Sequence, residues 1–314
     1  MTFHPDSLPD LSGKVFIVTG GNAGIGYYTV ARLAQYGAHV YMGARNATKA
    51  SDAIASIKKL YPNANISLLV MDHCSLSSVI AAANTFLSKE TSLHGLINNA
   101  GIMATPFEIT QDGHEAQWQT NYLAHWVFTS YLLPLMLATS KTLPPGNVRI
   151  VNITSAGHWM GPSGGINFAD TSLPNKPGNR YGQSKLANAL HAKTLDLRYG
   201  PSSPNAKAGN GEIWTAAVHP GLVDSQLAGR VDGSGLRGLL VVFKMLGRYW
   251  DGDRGSWTSV FCAASPELKS GQSGWYWERI AKKGWESRNA KNLELAKNLE
   301  DWTEKLMVKE GWVK

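Results

Sequence analysis

The sequence predicts an α/β protein built as one doubly wound parallel sheet flanked by helices. Three observations predict it. Apolar runs of strand length alternate with longer stretches of helical pattern, a glycine-rich turn joins the first run to the first helix, and several later runs end in small polar residues. Open parallel sheets place their ligand crevices at such carboxyl ends. With 314 residues, 43% of them hydrophobic and 17% charged, the chain can bury a large core. No linker, repeat or low-complexity stretch divides it, so a single domain over residues 1–314 is expected.

Taken in order, residues 15–18 form the first strand and meet Thr19-Gly-Gly-Asn-Ala-Gly-Ile-Gly26, after which a helical pattern runs to Tyr36. Gly20, Gly24 and Gly26 permit a tight turn and let the backbone approach a pyrophosphate, whose charge then sits among unpaired amides at the helix amino end. The spacing Gly-x-x-x-Gly-x-Gly differs from the commoner Gly-x-Gly-x-x-Gly fingerprint. Asn22 and Ile25 lie in the same turn and join the candidate contacts. The second strand, residues 39–42, ends without an acid to bind free ribose hydroxyls; Gly43-Ala-Arg45 instead offers a guanidinium suited to a 2′-phosphate, with Asn22 and Lys49 in support. This arrangement favours NADP(H). The third strand, residues 66–70, is followed by Asp72.

Two further strands deliver polar residues. Residues 95–97 run into Asn98-Asn-Ala-Gly101, and residues 148–153 into Thr154-Ser155. Downstream, Tyr181-Gly-Gln-Ser-Lys185 places a phenol and an ammonium on one helix face, where the positive charge is expected to lower the phenol pKa toward a range useful for proton transfer. Residues 213–218 form a sixth strand, leading into His219-Pro-Gly-Leu-Val-Asp-Ser225. Polar, turn-rich stretches at 143–146 and 201–211 fall between a helix and the next strand, where surface loops belong.

With Thr19 to Gly26, Asn98 to Gly101, Asn121, Ser155, Tyr181 and Lys185 in this order, the chain resembles the short-chain dehydrogenase/reductase family from about Leu11 to Trp277. Ile166-Asn-Phe-Ala-Asp170 and Tyr181-Gly-Gln-Ser-Lys-Leu-Ala-Asn188 look most like its retinol dehydrogenase and WW-domain oxidoreductase branch. The resemblance implies a Rossmann fold and a set of roles. Tyr181 would be the general acid, Lys185 its pKa modulator and a ribose contact, Ser155 the carbonyl-polarising hydroxyl, and Asn121 the anchor of a proton-relay water. Asp72 matches the position that contacts adenine, Asn99 lies in the matching cofactor-side motif, and Val223 and Ser225 lie in the segment over the nicotinamide. The hydride comes from the cofactor, so no covalent intermediate is expected. The interval between Ser155 and Tyr181 is longer than in most of the family; turns at 161–165 and 175–178 predict that it loops out while the two residues converge.

The apolar run 236–246 sits where the family places substrate-covering helices, within a covering segment of residues 226–260. Leu239, Phe243 and Met245, with Trp159 and Met160 after Ser155, are candidate lining for a lipophilic carbonyl or alcohol substrate; an ordinary amphipathic helix over the core is the equal alternative. The same run is too short and too charged to span a membrane. The carboxyl-terminal extension, residues 278–314, carries an apolar helical stripe of Leu295, Leu299, Trp302 and Leu306, which is expected to pack on the domain or on a second subunit as a homodimer rather than on lipid.

A formal charge of +7 and a pI near 9.3 suit an acidic ligand. No basic tract is interleaved with stacking aromatics, so nucleic acid is not expected as a partner. The histidines show no metal spacing, and His125, His158 and His219 read as packing or loop residues, so no metal is expected. Two cysteines, Cys74 and Cys262, and an amino terminus without an apolar leader fit a cytoplasmic, reducing setting. The expected activity is therefore NADP-dependent interconversion of a carbonyl and an alcohol. A non-catalytic NADP(H)-sensing protein and a reductase of an activated carbon–carbon double bond are the alternatives.

Overall fold

Among the described residues, eight strands form one sheet in the order β3-β2-β1-β4-β5-β6-β7-β8. The computed structural model describes residues 3–223, 250–278 and 280–314. The strands are β1 (Val15–Thr19), β2 (His39–Ala44), β3 (Asn65–Val70), β4 (Gly95–Asn98), β5 (Arg149–Ile153), β6 (Trp214–Val218), β7 (Trp275–Glu278) and the short β8 (Lys282–Lys283). All pairings are parallel except β7 with β8, which turns back antiparallel. The order reverses between β1 and β4, and the crevice of such a sheet opens at that switch point.

The helices follow from local chemistry. Helix α1 (Gly24–Gln35) starts at the glycine turn. Helices α2 (Ala47–Leu60) and α3 (Leu76–Leu87) are capped by Asn46 and Ser75, whose side chains accept from the amides of Lys49 and Ser78. Helix α4 (Ala116–Trp118) passes through a π turn at Gln119–Leu123 into α5 (Ala124–Lys141). The long α6 (Pro177–Tyr199) takes Pro177 at its first turn, where a missing N–H costs nothing. The short α7 (Pro204–Lys207), α8 (Gly252–Ala264) and α9 (Leu293–Lys309) complete the described set.

Alternation along the strands feeds a core on each face. Val15 and Ile17 join Phe86, Trp118, Phe128 and Leu190 on one side. Phe16 and Val18 join Leu33, Val40, Val151 and Phe261 on the other. This is the doubly buried pattern of a parallel sheet. The apolar stripe of α9 is consumed within the chain: Leu295 and Leu299 are buried in the first of these cores, with Trp302 and Leu306 packed against it. Polar contacts lock the same helix. Glu300 accepts from Trp126 Nε1 at 3.1 Å and pairs with Arg198 at 3.1 Å, and the hydroxyls of Thr303 and Tyr122 lie 2.8 Å apart.

Of the expected covering segment, residues 226–249 lie outside the described residues, and with them Leu239, Phe243 and Met245. Its remainder is mostly α8, which packs on α1.

Candidate active site

The site gathers at the carboxyl ends of β1, β4 and β5. Gly20 and Gly24 adopt φ of 63° and 54°, the left-handed region in which a side chain is strained. A Cβ on Gly26 would collide with the Gly20 carbonyl, so α1 starts in direct contact with the turn. The turn is stitched to the β4 loop by one hydroxyl: Thr19 Oγ1 accepts from the amides of Asn99 at 2.8 Å and Ala100 at 2.9 Å, and lies 2.9 Å from His125 Nε2. Asn99 completes the stitch by donating from Nδ2 to the Thr19 carbonyl at 2.8 Å. Asn99 therefore shapes the floor of the crevice.

Asn121 sits in the π turn, a local irregularity often found at functional positions. Its Oδ1 accepts from the Ile102 amide at 2.8 Å, while Nδ2 donates to the Ile102 carbonyl at 3.0 Å and to Ser184 Oγ at 2.9 Å. The amide is thus bound to the β4 loop on one side and to α6 on the other. A Cβ on Gly101 would lie 3.0 Å from Asn121 Oδ1 and 3.2 Å from Lys185 Nζ, which places both groups around the same glycine.

Ser155 lies two residues beyond β5 and caps a 3-10 turn, Ala156–Met160, with Oγ accepting from the Gly157 amide at 3.0 Å. The intervening insert loops out as expected, and Ser155 and Tyr181 meet through a side-chain hydrogen bond. Gly157 makes room for it, since a Cβ there would stand 2.7 Å from Tyr181 Cε1. His158 braces the turn from behind: Nδ1 lies 2.8 Å from the Ser155 carbonyl, and Nε2 accepts from the Ser287 amide at 3.0 Å.

Lys185 Nζ donates to the Ile153 carbonyl at 3.0 Å and lies 5.9 Å from the Tyr181 ring centroid. The electrostatics differ from the expectation. Burial raises the Tyr181 phenol, with the Ser155 hydrogen bond as the opposing influence. Burial also pushes the Lys185 ammonium down to about 8. Adjacency on a helix suggested a charge effect, but desolvation dominates because both side chains are enclosed.

Arg45 projects from the end of β2, its side chain 66% exposed, with Nη1 3.9 Å from Asp72. Lys49 is exposed on the first turn of α2, and Asn22 and Ile25 are partly exposed in the glycine turn. Val223 is buried and bridges to Trp250. Ser225 lies outside the described residues. Trp159 and Met160 are exposed beside the Ser155 turn, and the Trp159 ring lies 5.5 Å from that of Trp285. The closed turn around Gly20, Gly24 and Gly26, the exposed guanidinium of Arg45 and the buried ammonium of Lys185 together fit a nicotinamide dinucleotide.

Several residues of the site were not anticipated: Thr19 as the stitch, Ser184 as the partner of Asn121, and the buried pair Glu115 and Arg180. Arg180 had one visible signal, a charge set directly before Tyr181 on a helix whose following turns are buried. Glu115 and Thr105, which it joins, are remote in sequence and gave none.

A Rossmann sheet with these side chains at its switch point defines a nucleotide-dependent oxidoreductase. A family model described as short chain dehydrogenase matches residues 14–233, and the chain belongs to the short-chain dehydrogenase/reductase family. It is 49% identical over 310 residues to the short-chain dehydrogenase/reductase drtF of Aspergillus calidoustus, covering 97% of each chain. It is 36% identical over 263 residues to the chloroplastic short-chain dehydrogenase TIC 32 B of Brassica napus, covering 83% of this chain and 78% of that one. Among solved structures, an uncharacterized protein from Mycobacterium paratuberculosis superposes with a TM-score of 0.74 at 27% identity, covering 98% of both chains.

Proposed function

We propose that this oxidoreductase is NADP-dependent and interconverts a carbonyl, ketone or aldehyde, with an alcohol on a lipophilic small molecule. The observation that carries the reading is the hydrogen-bonded pair of Ser155 and Tyr181 with Lys185 buried beside it. When bound, the nicotinamide supplies or accepts the hydride. The chain's own groups supply position, polarisation and a proton. Ser155 Oγ, fixed by the Gly157 amide, is aimed where a carbonyl oxygen gains charge. Tyr181 delivers the proton to that oxygen; its raised pKa keeps it protonated at neutral pH, the form that reduction requires. Asn121 would anchor the relay by which the phenol is reprotonated, and Lys185 would hold the ribose of the bound cofactor.

The absence of an acid at the end of β2 and the exposed Arg45 guanidinium favour the 2′-phosphate of NADP. The apolar surface of Trp159 and Met160 beside Ser155 favours a lipophilic substrate.

The test is Tyr181→Phe, measured against wild type on a panel of carbonyls with NADPH and NADH. Wild type is expected to reduce carbonyls faster with NADPH, and the variant to lose about 100-fold or more in turnover while still binding NADPH. Turnover unchanged by the substitution would overturn the assignment of Tyr181. A wild type that binds NADPH without converting any carbonyl or alcohol would favour a sensor, and a saturated ketone formed from an enone would favour double-bond reduction.

A further inference from the structure

Arg180 and Glu115 form an ion pair, Nε to Oε1 at 3.0 Å, between side chains that are 2% and 0% exposed. Replacing such a pair by apolar residues is often neutral or stabilising, so its presence calls for something that an apolar contact cannot do. The rest of the guanidinium supplies it. Nη2 donates to the Thr105 carbonyl at 2.9 Å, and Nη1 to the carbonyls of Pro174 at 2.9 Å and Leu173 at 3.2 Å, while the Phe107 ring lies 5.5 Å away. One planar fork therefore ties the loop leaving β4 to the insert that follows Ser155.

Two strained backbone positions sit at this junction. Leu173 and Ala104 have φ of 42° and 46°, conformations that persist only where surroundings enforce them. Arg180 holds the Leu173 carbonyl, and Gln117 Oε1 accepts from the Ala104 amide at 2.7 Å. Glu115 also caps α4, accepting from the Trp118 amide at 2.8 Å, and α4 runs directly into the π turn that carries Asn121. Arg180 immediately precedes Tyr181. The pair is thus a short link between the Asn121 segment and the Tyr181 end of α6.

We propose that Arg180 is a positioning residue: with Glu115 it forms a buried strut that sets Asn121 against Tyr181 and fixes the loops 101–115 and 161–177 as walls of the carbonyl cleft. The catalytic part of this statement rests on the proposed function; the loop-fixing part does not. Arg180→Lys keeps a cation for Glu115 but cannot reach the Thr105 and Pro174 carbonyls together. In the full chain with NADPH, the variant is expected to retain NADPH affinity within about twofold and to lose about tenfold or more in kcat, the scale of a sub-ångström misplacement. Amide hydrogen exchange is expected to accelerate in both loops and not in α1 or β1. Glu115→Gln, which can still cap α4 through its amide oxygen, is expected to move kcat and loop exchange the same way and serves if Arg180→Lys does not fold. Unchanged exchange in the two loops would overturn the strut. Loosened loops with unchanged kcat, or NADPH affinity falling in step with kcat, would overturn the positioning role. If wild type itself converts no carbonyl, the redox reading fails while loop exchange still decides the strut.

Discussion

A lysine whose ammonium is enclosed beside the end of β5, 4% exposed and with one backbone carbonyl as its acceptor, destabilises the fold that holds it. The folded pKa of Lys185 lies near 8 against an ordinary 10.5, so between those values the unfolded chain binds the extra proton and stability rises with pH. Below pH 8 the full penalty is present. Lys185→Met is accordingly expected to raise stability at pH 7 by about 1 to 3 kcal/mol while abolishing turnover, with the gain shrinking as pH approaches 10. Chemical denaturation of the two proteins at pH 7 and 9.5 checks it, and a variant less stable at pH 7 contradicts it. The Ile153 carbonyl keeps Asn188 Nδ2 as a donor at 3.0 Å, so the substitution leaves no orphan there. The spacing of Tyr181 and Lys185 was legible in the sequence because both lie on one short stretch of helix. Their electrostatics were not, because enclosure is set by residues far away along the chain.

At the scale of elements, the contact between α6 and the 3-10 turn after Ser155 sets how Ser155 and Tyr181 face each other. Gly182 faces this turn, and a Cβ there would lie 2.6 Å from the Gly161 amide nitrogen and from the Met160 carbonyl carbon. Helix propensity alone predicts that Gly182→Ala stabilises α6 by up to about 1 kcal/mol. The collision predicts the opposite: a lower melting temperature and a fall in turnover as the turn is pushed off the helix. Melting curves and steady-state rates decide between the signs. Strands β1 to β6 and the glycine turn were readable from apolar runs ending in small polar residues. The π turn at Gln119–Leu123 was not, since it depends on Asn121 being bonded to both Ile102 and Ser184. Arg180 and Glu115 were missed for the same reason, being partners far apart in sequence that only the folded chain brings together.

Across the whole molecule, burial keeps several histidines neutral. His73 is pushed down to about 4 and His125 well below its ordinary value, and His94 and His158 are also lowered by desolvation. The rings of His73 and His125 lie 4.7 Å apart. Each folded pKa lies below the unfolded value near 6.5, so the unfolded chain takes up more protons in acid. The stability they contribute is present above pH 6.5 and is lost as pH falls toward 4, by at most about 1.4 kcal/mol per pH unit for each histidine. Glu115 and Asp196, raised by burial, act in the opposite sense. The denaturant midpoint is expected to fall between pH 7 and 5, and His73→Asn to flatten that fall; a flat wild-type curve would refute the account.

The Thr19 hydroxyl carries a consequence for how nucleotide binds. By joining the end of β1 to the amides of Asn99 and Ala100, it makes the crevice floor part of the folded core. A dinucleotide landing there meets a preorganised surface, so less chain entropy is lost on binding and a larger share of the interaction energy appears as affinity.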